Sequence, residues 1–162
     1  SLINMLCSNG KLAMTSATPG KTKLVNHFLI NDSWYLVDLP GYGFAKMDRK
    51  GREELENVIR DYIHFSDELV QLFVLVDSRH DICRADLDFI AELGENEIPF
   101  SIIFTKSDKQ GPNVLKAQVE RDCELLGQDW EELPRMFCSS SKSGAGKQEI
   151  LDYIEEVLKT IQ

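Results

Sequence analysis

Phe100-Ser101-Ile102-Ile103-Phe104-Thr105-Lys106-Ser107-Asp108 is a short apolar run that passes without a break into a charged loop. The apolar part is short and rich in residues that favour β-structure, so it predicts a buried strand. The same pattern recurs. Trp34-Tyr35-Leu36-Val37 runs into Asp38, Leu69 to Val76 runs into Asp77, and Met136 to Cys138 runs into Ser139-Ser140-Ser141. Helical spacing lies between these runs. Residues 51–65 place Leu55, Val58, Ile59 and Tyr62 on one face, and residues 146–161 do the same with Ile150, Tyr153, Ile154, Val157 and Ile161. Arg84 to Leu93 reads as a helix closed by Gly94, and residues 113–126 as another.

The remaining segments are of a different kind. Residues 1–9 read as a helix end with Leu2, Ile3, Leu6 and Cys7 on one face, closed by Gly10. Residues 11–23 are polar and read as a loop. Leu24 to Ile30 and Trp34 to Val37 read as a hairpin joined at Asn31-Asp32-Ser33. Strands thus alternate with helices apart from one early hairpin. The expectation is one α/β domain over residues 1–162, with a three-layer, mostly parallel sheet carrying one antiparallel edge strand. Such sheets bind ligands beyond the carboxyl ends of their strands. Positions 38, 105 and 139 all lie there, so they are expected to form one site.

Composition narrows the class. At 162 residues with 43% apolar content the chain can build a proper core. No apolar run approaches the roughly 20 residues that span a bilayer. Cys7, Cys83, Cys123 and Cys138 form no Cys-x-x-Cys pair and are expected to be reduced thiols in a cytoplasmic protein. The net charge of −9 argues against general nucleic-acid binding. It is unevenly spread, however: residues 1–52 carry +4, and residues 53–162 carry −13.

The strand ends carry recognisable chemistry. Asp38-Leu39-Pro40-Gly41 has the Asp-x-x-Gly form, in which a carboxylate holds Mg²⁺ through its water shell. Gly41 would let a backbone N–H approach a phosphate with no Cβ in the way. Alone, the tetrapeptide is equally a surface turn. In Thr105-Lys106-Ser107-Asp108 the Asp carboxylate can accept two N–H bonds from the Watson–Crick edge of guanine. Adenine has no matching donor pair, so ATP would leave polar groups unpaired. The Lys106 stem can lie along the base. Backbone N–H groups of Ser139-Ser140-Ser141 could reach the guanine O6, although serine clusters also mark ordinary caps and loops. Gly144-Ala145-Gly146-Lys147 looks like a phosphate loop but lacks the following Ser or Thr and reads as entry to the last helix. Gly20-Lys21-Thr22 has the right ending, but it leads into a strand rather than a helix. Thr22 is better placed in a loop, with its hydroxyl available to Mg²⁺. No general acid–base or nucleophile–base pair stands out, and His80 reads as structural.

These residues resemble the EngB (YihA, YsxC) family of bacterial ribosome-assembly GTPases. The resemblance rests on Thr15 to Thr22, on Phe28 to Asn31 and above all on Asp38-Leu39-Pro40-Gly41-Tyr42-Gly43-Phe44-Ala45. Val76-Asp77-Ser78-Arg79-His80, Thr105 to Asp108 and Ser139-Ser140 extend it over nearly the whole chain. It implies a Ras-like P-loop G domain with GTP or GDP as ligand and Mg²⁺ as cofactor. It also implies a part in assembly of the large ribosomal subunit, cell division and septation, carried out by a cytoplasmic monomer with no membrane contact.

By the same resemblance, Ser1-Leu2-Ile3-Asn4 follows directly on a phosphate loop whose Lys and Ser would precede Ser1, so the chain is expected to be N-terminally truncated. Gly20, Lys21, Thr22, Lys23 and Leu24 would form the first switch, with Thr22 on Mg²⁺. Asp38, Leu39, Pro40 and Gly41 would open the second. Thr105, Lys106, Ser107 and Asp108 would read guanine with Cys138, Ser139 and Ser140. Tyr42 follows Gly41 where a water-orienting Gln could stand, which implies slow intrinsic hydrolysis. A nucleotide-free scaffold and an ATP-dependent enzyme using Gly20-Lys21-Thr22 are the competing readings.

Overall fold

The computed structural model describes residues 2–8, 25–41 and 48–161. They fall into two compact units, one drawn from residues 9–69 and the other from residues 1–8 and 70–162.

In the first unit, β1 (Asn26–Ile30) and β2 (Trp34–Asp38) pair antiparallel, with Asn26 opposite Asp38 and Leu29 opposite Tyr35. Asn31 and Asp32 take the positive φ angles that the tight turn between them demands. Phe28 is buried, while Leu29 and Tyr35 lie outward. Helix α2 (Arg49–Phe65) begins two residues before the expected start. The reason is Asp48, whose carboxylate accepts the Gly51 N–H at 2.7 Å and caps the helix. Leu55, Ile59 and Ile63 form its buried stripe.

The second unit holds a parallel sheet in the order β3 (Leu72–Asp77), β4 (Phe100–Thr105), β5 (Met136–Cys138). Strand pairing starts at Leu72 opposite Phe100, not at Leu69 as expected. Ser101, Ile102, Ile103 and Phe104 of the central strand are all buried. Alternate residues face opposite ways, so both faces of the sheet are covered. The helices in this unit are α1 (Leu2–Leu6), α3 (Arg84–Glu95), α4 (Pro112–Gly127) and α5 (Lys147–Lys159). Phe73, Phe137 and Tyr153 pack as a ring cluster, and the Arg135 guanidinium lies over the last two rings. An α/β fold with a parallel sheet and an antiparallel pair is therefore present as expected. All four cysteines are free thiols. Among the described residues, no helix is long and apolar enough to cross a membrane.

Gly94 corrects the sequence reading. Helix α3 does not stop there but continues to Glu95, with Asn96 as its cap. A Cβ at Gly94 would lie 2.3 Å from the Trp130 ring, and Trp130 in turn meets Phe100 edge-on. Glycine is there to admit an indole, not to end a helix.

Asp122 on α4 is fully buried. Its Oδ1 accepts the Ile82 N–H at 3.0 Å and the Gln118 amide at 3.2 Å. Oδ2 has no partner among the described residues. Burial pushes the Asp122 carboxyl up from its ordinary range, and the two hydrogen bonds oppose that rise. An acid raised by folding binds its proton more tightly when folded. It therefore costs stability as pH rises from the unfolded-state range through the folded value. Asp122→Asn keeps both accepted bonds and carries no charge, so it should match or exceed wild type in Tm at about pH 8, with the difference shrinking toward about pH 4. Asp122→Ala leaves both donors unpaired and should cost about 2 kcal/mol. Thermal melts of both variants across pH check this.

Candidate functional site

The parallel register decides what meets at the strand ends. Asp77 is opposite Thr105, and Phe104 is opposite Cys138, so the loops that leave β3, β4 and β5 emerge side by side. The backbone locks two of them together. The Ser139 N–H donates to the Phe104 carbonyl at 2.8 Å, and the Ser107 N–H to the Ser139 carbonyl at 3.0 Å. The Thr105 hydroxyl donates back to the Val76 carbonyl at 3.4 Å. Lys106 then takes a left-handed conformation (φ 58°, ψ 36°), and Ser107–Lys109 forms one 3₁₀ turn that carries Asp108.

Asp108 is exposed at its carboxylate end, and a buried hydroxyl holds it from behind. The Ser140 Oγ donates to Asp108 Oδ1 at 2.7 Å and accepts the Ser143 N–H at 3.0 Å. Ser139 and Ser140 are 1% and 0% exposed, so this support sits in the core. The Ser140 hydrogen bond, ahead of the nearby lysines Lys109 and Lys142, holds the Asp108 carboxyl below its usual range. Asp108 is thus an oriented, ionised acceptor with one side fixed and the other facing out. That suits a ligand edge with paired N–H donors.

The serine loop refines the expected donors. Of the three N–H groups expected to reach a base carbonyl, that of Ser139 donates to Phe104 and that of Ser140 to the Ala145 carbonyl at 3.1 Å. The N–H of Ser141 is the first in this loop with no partner among the described residues. Gly146 shapes the same loop from the other side. It caps α5 at φ 81°, and a Cβ there would stand 2.1 Å from the Cys138 carbonyl oxygen. The Gly144–Lys147 segment does serve as the entry to the last helix, and it also braces residues 138–140. Cys138 ends β5, and burial raises its thiol pKa.

Removing the Ser140 hydroxyl tests the support directly. Ser140→Ala frees Asp108 and removes the acceptor of the Ser143 N–H. Ligand affinity should fall about tenfold, the value of one charge-assisted hydrogen bond. Titration of a guanine nucleotide against both proteins measures it.

Asp77 lies at the same strand-end level, opposite Thr105, although no sequence motif singles it out. Its carboxylate accepts the Arg79 N–H and the Arg79 side chain, with the shortest contact 2.8 Å from Nη2, and lies 3.3 Å from Lys106 Nζ. Its one sequence signal is position, since Asp77 ends a strand as Thr105 does.

In the other unit, Asp38 ends β2 and is half-buried, followed by half-buried Leu39 and Pro40 and exposed Gly41. Burial raises the Asp38 carboxyl pKa, and it has no ion-pair partner among the described residues. A half-buried carboxylate at a strand end suits a hydrated divalent cation. Among the described residues there is no group of three or more His, Cys, Asp or Glu that could hold a metal ion alone. Gly20, Lys21, Thr22, Lys23, Leu24 and Tyr42 lie outside the described residues.

The family model described as a 50S ribosome-binding GTPase matches residues 1–106. A probable GTP-binding protein EngB of Bacteroides thetaiotaomicron is 55% identical over 161 residues, covering 99% of this chain and 80% of the relative. That of Flavobacterium psychrophilum is 48% identical, covering 99% and 79%. The crystal structure of a probable GTP-binding protein EngB superposes with a TM-score of 0.77 at 21% identity, covering 98% of this chain and 91% of that one. The elongation factor SelB of Methanococcus maripaludis gives 0.63 at 19% identity, covering 83% and 28%, and supports the fold alone.

Proposed function

The chain belongs to the EngB family of GTP-binding proteins, and on that premise we propose that it is a GTP-hydrolysing switch acting in assembly of the large ribosomal subunit. It works as one G domain over residues 1–162, as a cytoplasmic monomer, and cell division and septation depend on it through the ribosome. The observation that carries the nucleotide reading is the Asp108 carboxylate held by Ser140 at the end of two adjacent parallel strands. Asp108 takes the guanine N1–H and 2-amino donors, the Lys106 stem covers the base, and the Ser141 N–H meets O6.

Thr22 and Asp38 would hold Mg²⁺, Asp38 through water, with Gly41 toward the terminal phosphate. Bound Mg²⁺ neutralises charge on the phosphate oxygens. Gly20, Lys21, Lys23, Leu24, Leu39 and Pro40 make up the two switch segments around it. Tyr42 cannot orient an attacking water as a Gln would, so intrinsic hydrolysis is slow and needs a partner to speed it. The positive balance of residues 1–52 in an otherwise acidic chain favours RNA on the switch side.

Competition binding of GTP, GDP and ATP to the full-length protein tests the first part. Guanine selectivity supports it, while loss of all nucleotide binding would leave a scaffold. Cosedimentation with large subunits tests the second. It should depend on GTP and weaken steeply with salt, and salt-insensitive binding would exclude phosphate contacts.

A further inference from the structure

Lys106 carries two features that its expected role does not explain. Its backbone is left-handed, which an unbranched non-glycine residue adopts only at a cost. Its ammonium is also directed to a carboxylate, 3.3 Å from Asp77 Oδ2. That carboxylate is held in place. The Arg79 N–H and Nε each donate to Asp77 Oδ1 at 3.0 Å, and Nη2 donates to Oδ2 at 2.8 Å. The Ser78 N–H donates to the Thr105 carbonyl at 3.0 Å, which ties the start of the one loop to the end of the neighbouring strand.

Stability does not account for this arrangement. The Lys106 and Asp77 side chains are 51% and 29% exposed, and the Arg79 side chain 39%. Pairs this open contribute little to folding. Their effect is instead on freedom of movement. A lysine side chain has many rotamers, and a ligand that packs on it must first freeze them.

We propose that Asp77 is a positioning residue for nucleotide binding: it tethers the Lys106 ammonium, so the four-carbon stem stands as a fixed apolar wall beside Asp108 before the base arrives. Arg79 keeps Asp77 in place for that task. This rests on the guanine reading above and adds to it a residue from β3. The tether acts on the base, so it affects GTP and GDP alike. It uses an exposed ion pair, so it weakens with salt.

The test is a double-mutant cycle on the full-length protein, read by titration of a fluorescent N-methylanthraniloyl GDP at low and high salt. Asp77→Asn keeps an acceptor for the Arg79 N–H and loses the charge. Lys106→Gln loses the charge and keeps most of the stem. Asp77→Asn should weaken binding about five- to tenfold at low salt, the cost of immobilising one long side chain. The deficit should narrow at high salt. In the Lys106→Gln background the same change should have almost no further effect. Undiminished affinity in Asp77→Asn overturns the proposal. So does an equal loss in both backgrounds, which would mark Asp77 as a support for the 77–80 turn only. If wild type binds the probe and only the coupling is absent, this proposal alone falls. If wild type binds no guanine nucleotide, the guanine reading falls with it.

Discussion

Asp108→Asn should lower GTP affinity by roughly 10³-fold or more and turn base preference toward xanthine. The carboxylate offers two acceptors to the two N–H donors of guanine. The amide offers one acceptor and one donor, so its NH₂ faces a guanine N–H with nothing between them to bond. Xanthine carries a carbonyl where guanine carries its 2-amino group, and the amide donor suits it. Ser140 makes the exchange clean, because its hydroxyl can donate to an amide oxygen as it does to Asp108 Oδ1. The fold should therefore survive and the specificity change. Titration with GTP, ATP and xanthosine triphosphate decides it, and unchanged GTP preference would refute the role of Asp108. The pH response has a definite sign. The Asp108 carboxyl is held below its ordinary range, so its charge survives mild acid. Affinity should hold well into the carboxylate range and fall only below it.

Gly146→Ala should be the most damaging small substitution near the site. Two costs add. Alanine at φ 81° pays about 1 kcal/mol for the left-handed backbone. Its Cβ would also stand 2.1 Å from the Cys138 carbonyl oxygen and 3.3 Å from the Ser139 Cα, both backbone atoms with no rotamer to turn away. The total should reach about 3 kcal/mol, or a Tm loss of roughly 10 °C for a chain of this size. The loop that carries Ser140 must shift, so nucleotide affinity should fall along with stability. Gly144→Ala separates the two costs. Gly144 has the same φ of 81° with nothing within 4 Å of a Cβ. It should lose only the strain energy and keep nucleotide affinity. Equal losses from both variants would mean that the close approach to Cys138 does not matter.

Much of the fold is legible because burial writes itself as apolar runs. Phe100 to Phe104 is such a run, and the strand occupies it and Thr105. The hairpin is legible from Asn31-Asp32-Ser33, a turn between two runs. What is not legible depends on a partner far away in sequence. Gly94 looks like a helix stop because stops favour glycine, but its cause is Trp130. The start of α2 is hidden because Asp48 caps a helix whose first turn reads Arg-Lys-Gly, a poor helical opening. Gln118 and Asp122 are buried on a helix face where polarity predicts solvent, because their partners are Asp81 and the Ile82 N–H. In the site, Asp108, Thr105 and Ser140 are visible as motif residues at strand ends. Which serine N–H remains available depends on how the loop turns, and Asp77 becomes a partner only through the β3–β4 register.

The left-handed Lys106 has a consequence for selection. Asn or Gly would sit at φ 58° with less strain, and either could raise thermal stability by about 1 kcal/mol. Either would also remove the cation and its stem. Laboratory evolution for heat resistance alone should therefore drift away from lysine here, while selection for guanine-nucleotide binding should retain it. Position 106 is where the durable sequence and the working sequence part.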